Sequence, residues 1–365
     1  MSALSSALPD FPWDLLEPAK TRAAAHPDGI VDLSVGTPVD PVPQVIRQAL
    51  VGSADTPGYP LTAGTATLRA AITGWLARAC RASGDLGVLP TIGSKELVAW
   101  LPTLLGVGPG DRVVIPQVCY PTYEVGVRLA GAEVIRSDSL TAVGPAPVKL
   151  VWINSPSNPT GRVLPVEHLR KVVAWARERG AVVVSDECYL SLGWETEPVS
   201  VLSDEVTGGD YTGVLAVHSL SKRSNLAGYR AGFVGGDPAL VGELLAVRKH
   251  GGMIVPAPVQ AAMAAALTDE EHVAVQRERY AARREILRSA LVKAGFEISH
   301  SEAGLYLWAT RGEDCWQTVD RLAERGILAA PGAFYGPAAA RHVRIALTAT
   351  DERVAAAADR LADGW

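Results

Sequence analysis

The sequence predicts an α/β protein built on a mostly parallel sheet, and three observations carry that prediction. From residue 88 to 235 short β-branched runs alternate with longer amphipathic runs, the rhythm of strands joined by helices. One stretch reads as a complete unit: 148–153 is apolar, Leu169, Val172, Val173 and Ala176 recur at helical spacing, Gly180 closes the helix, and 181–184 resumes as a strand. A crossover of that length requires parallel pairing with a right-handed connection. Finally, polar residues collect directly after the strand candidates, where open parallel sheets bind their ligands.

The remaining strands are expected at 112–115, 133–137, 214–217 and 231–234, which makes a sheet of six or seven strands flanked by helices. Residues 269–294 read as a long helix with Arg277, Arg283, Arg284 and Arg288 on a polar face, and a βαβ-like tail runs from 296 to 365. The expected division is an N-terminal arm over 1–45 that joins a small domain, a large domain over 46–255, and an interdomain helix with the C-terminal small α/β domain over 256–365. There is no internal repeat or long linker.

Composition sets the limits of function. The 365 residues carry 34 Lys+Arg against 39 Asp+Glu, a net charge of −5, with 48% hydrophobic and only 20% charged residues. A chain of this length buries a core without staples, and this composition excludes a disordered protein. Mild acidity without a basic stripe argues against a nucleic-acid partner. Cys80, Cys119, Cys188 and Cys315 lie far apart and never as a CxxC pair, so neither a zinc site nor a disulfide scaffold is indicated. The N-terminus lacks a secretory pattern and no apolar run reaches about 20 residues, so a soluble cytoplasmic enzyme with no membrane partner is expected.

The strand ends hold the chemistry. After 148–153 comes Asn154-Ser155-Pro156-Ser157-Asn158-Pro159-Thr160-Gly161, after 181–184 comes Ser185-Asp186-Glu187-Cys188-Tyr189, and after 214–217 comes His218-Ser219-Leu220-Ser221-Lys222. Successive strands thus present an amide, a carboxylate with a phenol, and a lysine flanked by serines. Together with LSVGTP from Leu33, Tyr59, IGSKE from Ile92, YPTY from Tyr120, SLSKRSNLAGYR from Ser219, AGLYLW from Ala303, and PGAFYG with VRIAL from Pro331, these runs resemble, in order and spacing, the class I/II aminotransferases. That family has the fold type I architecture and uses pyridoxal 5'-phosphate. The N-terminal LPDFPWDLLEPAK and the SKRSN stretch are most similar to the N-succinyldiaminopimelate aminotransferases of lysine biosynthesis.

The resemblance implies a role for each residue, and the chemistry of each agrees. Lys222 is expected to bind the cofactor covalently through its neutral amine and to move the substrate proton. Asp186 is expected to pair with the pyridine nitrogen and sustain the electron sink, at a strength of up to about 4 kcal/mol for a pair 4 Å apart. Tyr189 and Asn158 are expected at the phenolic oxygen, and Tyr120 against the ring face. Ser94 and Lys95 open the apolar-periodic run of Leu97, Trp100, Leu101 and Leu104, so they are expected to offer helix N-terminal N–H groups to the phosphate. Ser219, Ser221 and Arg230 complete that cradle, with Tyr59 contributed by the second subunit of a homodimer. Arg344, flanked by apolar residues, is expected to grip the α-carboxylate of amino-acid and 2-oxo-acid substrates, with Gly36 and Asn158 assisting. A distal carboxylate on the substrate would need a further cation, for which Lys20, Arg22, Arg223 and Lys249 are candidates.

Three other readings compete. Ser219-Leu220-Ser221-Lys222 fits the S-x-x-K motif of serine hydrolases, but the companion K-T-G and S-D-N motifs are missing. An aminotransferase-like transcription regulator would need an added DNA-binding module. Decarboxylase or β-lyase chemistry on the same cofactor is the third. No Walker A loop or G-x-G-x-x-G fingerprint is present.

Overall fold

The computed structural model describes residues 4–362. The expected arm and small domain extend to residues 1–3 and 363–365, which lie outside the described residues. In chain order the strands are β1 (Val31–Asp32), β2 (Gly87–Ile92), β3 (Arg112–Ile115), β4 (Glu133–Arg136), β5 (Leu150–Asn154), β6 (Val182–Asp186), β7 (Val214–Ser219), β8 (Ala231–Gly236), β9 (Glu297–Ile298), β10 (Tyr306–Thr310), β11 (Ile327–Leu328), β12 (Ala330–Pro331) and β13 (His342–Ala346).

Among these residues the strands form three sheets. The largest has seven strands in the order β2-β8-β7-β6-β5-β3-β4. The pairs β4-β3, β3-β5, β5-β6 and β6-β7 are parallel, and β8 alone runs antiparallel to both neighbours. β5, β6, β7 and β8 are buried almost throughout, as expected of strands covered by helices on both faces. On one face Val151, Ile153 and Val183 pack with Leu169, Val172, Val173 and Ala176 of the helix Val166–Glu178. On the other Leu150, Trp152, Val184 and Val217 pack with Leu97, Val98 and Leu101 of the helix Gly93–Leu104.

The second core lies around a four-stranded sheet in the order β12-β13-β10-β9. Here the structure corrects the βαβ-like tail, because every pairing in that sheet is antiparallel. The helix Cys315–Glu324 between β10 and β11 gave the tail its βαβ appearance, but β10 and β13 pair as neighbours running in opposite directions. Residues of the arm belong to this core: Leu16, Ala19, Ala23, Val31 and Leu33 pack with Leu305, Ile327 and Val354, and β1 pairs with β11. The helix Ala257–Thr268 packs instead with the large sheet's core, through Ala262, Met263 and Leu267.

The long helix is Glu271–Lys293, and its arginines are not all on a polar face. Arg283 and Arg284 are buried. Arg283 forms a two-point pair with Asp40 at 2.7 and 2.8 Å and bonds Asp351 at 2.7 Å, while Arg284 bonds Glu195 at 2.5 Å and the Ser301 carbonyl at 2.9 Å. Period alone marks a charged residue as solvated, but acids distant in sequence can neutralise it inside.

Candidate active site

The strand ends converge as the sequence order implies, although two boundaries move. Asp186 and Ser219 are the last residues of β6 and β7 rather than the first of the following loops. Lys222 stands on the one-turn helix Leu220–Arg223, started by the Ser219 hydroxyl, which accepts the Ser221 N–H at 3.2 Å. Register places Asn154 beside Asp186 and Asp186 beside Val217, so the amide, the carboxylate and the lysine turn share one edge of the sheet.

Asp186 is buried and its carboxyl is raised above the ordinary range by that burial, against which Cys188 and Tyr123 act as donors. The Tyr123 hydroxyl donates to Oδ2 at 2.8 Å and the Cys188 N–H to Oδ1 at 3.2 Å. In the sequence Tyr123 is only the last residue of YPTY. Its role depends on the ring lying flat against Trp152 of β5, with centroids 4.8 Å apart, a relation no local pattern announces. Tyr120, expected against the cofactor ring, packs edge-on to Tyr123 at 5.8 Å, and burial pushes its hydroxyl up to about 12.

Lys222 is lowered to about 8, first by burial and then by the Arg344 charge. Its Nζ donates to the Gly36 carbonyl. Arg344 is 2% exposed, and its Nη2 donates to the Ser34 carbonyl at 2.6 Å and its Nη1 to Asn158 Oδ1 at 3.0 Å. The Lys222 amine and the Arg344 guanidinium are therefore both held on the strip Ser34–Gly36. Asn158 is fixed in turn by its N–H on Asn154 Oδ1 at 2.7 Å. Tyr189 is buried, with its hydroxyl 3.0 Å from that of Tyr306, and burial raises it well above the usual phenol range. Tyr306 also lies under the Arg344 guanidinium, 3.9 Å from ring centroid to carbon. A side chain at Gly36 would meet the Tyr306 hydroxyl at 2.4 Å, so only glycine allows the strip so close.

The other end of the site is cationic. Ser94 and Lys95 lie in the first turn of the helix Gly93–Leu104, whose leading N–H groups have no partner within the helix. Lys95 is lowered by burial and by the nearby Arg230 charge, and its ammonium lies 5.3 Å from the Phe11 ring centroid. A side chain at Gly93 would strike Arg230 Nη2 at 2.4 Å. Ser221 is buried on the Lys222 turn. Free N–H groups, hydroxyls and a guanidinium gathered around a glycine make a cradle suited to a phosphate. Tyr59 is fully exposed, separate from this cradle within its own chain.

Of the cations considered for a distal carboxylate, Lys20 lies 3.7 Å from Glu17 and Arg22 bonds Asp320 at 2.6 Å. Arg223 turns away from its neighbour Lys222 to Glu270 at 3.4 Å, over the Trp75 ring, and Lys249 occupies the last turn of the helix Pro238–His250. Sequence spacing also gave no hint that Cys80, Glu187 and His218 meet in the core behind Asp186. All four cysteines are free.

Comparison with known proteins agrees with this geometry. Residues 28–361 match the family described as aminotransferase class I and II. A probable aminotransferase of Mycobacterium tuberculosis is 65% identical over 98% of this chain and 86% of its own length. A 4-dedimethylamino-4-oxo-anhydrotetracycline transaminase of Streptomyces rimosus is 62% identical over 97% of this chain and 99% of its own. Among solved structures, a probable N-succinyldiaminopimelate aminotransferase of Thermus thermophilus superposes with a TM-score of 0.88 at 29% identity, covering 97% of this chain and all of the other. The fold is thus that of the fold type I transferases, and the chain belongs to the class I and II aminotransferase family.

Proposed function

We propose that the protein is a pyridoxal-phosphate-dependent aminotransferase that moves an amino group between glutamate/2-oxoglutarate and a second amino-acid/2-oxo-acid pair, acting in the cytoplasm as a homodimer. The observation that carries this reading is the joint suspension of Lys222 and Arg344 from the Gly36 and Ser34 carbonyls. It sets an amine and a carboxylate clamp at a fixed separation beside a buried carboxylate, Asp186. No helix among the described residues is long and apolar enough to cross a membrane. The division into an N-terminal arm that joins the small domain (1–45), a large domain (46–255) and an interdomain helix with the C-terminal small domain (256–365) belongs to the same reading.

The residues present fit the cofactor. Ser94, Lys95, Ser219, Ser221 and Arg230, with Tyr59 of a second copy, would hold its phosphate. Asp186 would face its pyridine nitrogen, Tyr120 its ring, and Tyr189 and Asn158 its phenolic oxygen. When bound, the cofactor supplies an electron sink for the pair released at the substrate α-carbon. Arg344 grips the α-carboxylate through two N–H groups and so fixes which α-bond is presented. Lys222, whose amine titrates near 8, is neutral in an appreciable fraction at neutral pH and takes the α-proton as general base. Its Nζ is held by the Gly36 carbonyl, on the same strip whose Ser34 carbonyl holds Arg344.

For the partner of glutamate, the sequence reading is N-succinyl-LL-2,6-diaminopimelate, and the likeness to the Thermus protein supports it. A second reading is a ketone on a larger carbon skeleton without a distal carboxylate. The Streptomyces relative supports it, as do the ion pairs that occupy Lys20, Arg22 and Arg223. The experiment is borohydride reduction of the purified protein followed by peptide mapping, then a glutamate-donor screen against both acceptor classes. A pyridoxyl group on Lys222 is expected; its appearance on Lys95 or Lys249 overturns the site.

A further inference from the structure

A crevice of about 330 Å3 opens beside the site, lined by neither Lys222, Asp186 nor Arg344. Its floor is apolar, formed by Val114 of β3, Val151 and Ile153 of β5, and Val172 of the helix Val166–Glu178. Ser157 and Thr160 form one wall, and Ser299, His300, Trp308 and His342 form the other. Trp308 and His342 lie flat on each other, with centroids 4.9 Å apart and planes 2° from parallel. Arg162 and His168 also line the crevice, and among the described residues neither side chain has a hydrogen bond or ion pair to any acid. The one acid on the lining, Asp138, accepts the Gln117 N–H at 3.0 Å.

A hollow of this volume, apolar over most of its surface and edged by a few convergent polar groups, has the composition of a small-molecule site. The polar groups decide the class of ligand. The Arg162 guanidinium calls for an anion, since of the lining imidazoles His300 already lies 3.7 Å from Glu302, and the planar carboxylate suits the guanidinium fork. The valine floor and the stacked Trp308–His342 pair call for a flat ring. Burial, then the Arg162 and Lys171 charges, hold His168 below its ordinary range against the opposing effect of Asp138, and an incoming carboxylate would offset the cationic charges.

The walls are bonded to the loop that carries Asn158. The Ser301 N–H donates to the Thr160 carbonyl at 2.9 Å, the Ala303 N–H to the Gly161 carbonyl at 3.0 Å, and the Trp308 N–H to Ser301 Oγ at 3.0 Å. Trp308 is also the register partner of Arg344 across β10 and β13. We propose that the crevice binds a ring-bearing carboxylate as an effector, at a site separate from the reacting substrate. Its occupancy would bear on the Asn158–Arg344 contact through these bonds, and the coupling must be reciprocal. The binding claim stands apart from the cofactor reading, since Arg162, His168, Trp308 and His342 take no part in it.

The test is equilibrium titration of the full-length protein with indole-3-acetate, followed by calorimetry. Wild type should show a saturable site that survives Arg344→Lys. Arg162→Ala should weaken it at least tenfold, and Arg162→Ala with His168→Ala should abolish it, while far-ultraviolet dichroism stays unchanged in both. Two results overturn the proposal: no saturable binding to wild type, or binding that disappears in Arg344→Lys and is unaffected by Arg162→Ala. The second would place the probe in the substrate site, leaving the aminotransferase reading intact.

Discussion

The Tyr123 hydroxyl donates to Asp186 Oδ2 at 2.8 Å while its ring is held flat against Trp152. The hydrogen bond opposes the burial that raises the Asp186 carboxyl. Tyr123→Phe keeps the stacked ring and removes only the donor, so Asp186 should rise further and spend more of its time protonated. A hydrogen bond to a charged group contributes about 1.5 to 3 kcal/mol, so α-proton removal should slow roughly 10- to 150-fold. Asp186→Ala should slow it more while cofactor binding stays measurable, because the phosphate cradle persists. Single-turnover kinetics with glutamate measure both; parent rates in both variants would remove Asp186 from the ring nitrogen.

Arg344 makes two directed bonds from one guanidinium, to Ser34 and Asn158, over the face of Tyr306. Arg344→Lys keeps the charge and loses the planar fork, so every amino-acid substrate should bind more weakly. Loss of one charge-assisted contact corresponds to roughly 10- to 150-fold in affinity. The check is the apparent affinity for glutamate and for the succinylated acceptor; unchanged values for both would rule out a carboxylate role.

Tyr59 is fully exposed in a stretch far from Lys222 in sequence. If it serves a second copy's phosphate cradle, Tyr59→Ala alone should impair activity severely. Mixing that variant with inactive Lys222→Ala should then restore activity above the sum of the parents, because each hybrid dimer has one site with both residues intact. Absence of recovery after demonstrated subunit exchange would assign Tyr59 to its own chain.

Behind Asp186, burial raises Glu187 to about 7 and lowers His218 to about 3. The folded chain binds the Glu187 proton more tightly than the unfolded chain does, so that stabilisation is complete below pH 4.5 and lost as pH rises through 7. For His218 the sign is opposite: its contribution is complete above pH 6.5 and lost as pH falls through 3. Glu187→Gln should therefore reduce the alkaline decline of the apo protein, on the order of 3 kcal/mol at most, and leave the acid-side loss in place. Denaturant unfolding between pH 4 and 8 measures this, and an unaltered alkaline slope would show that Glu187 is not the titrating group.

The sequence by itself determined the alternation of strands and helices and the order of the polar strand ends. Both are local: β-branched runs and a 3.6-residue period fix β3, β5 and the helix Val166–Glu178, and a parallel sheet must deliver successive strand ends to one edge. Asp186, Asn158 and Lys222 are therefore legible in the sequence, and family resemblance attaches their roles. Tertiary structure decided what depends on residues far apart along the chain. It folded the tail as an antiparallel sheet, because the two-residue strand β12 and the crossing of β10 with β13 leave no local periodic signature. It buried Arg283 and Arg284 against Asp40 and Glu195, which charge patterning alone assigns to solvent. It also turned Arg223 away from the site and joined Tyr123 to Asp186, since side-chain partners are chosen by packing and desolvation across the assembled core, not by spacing along the chain.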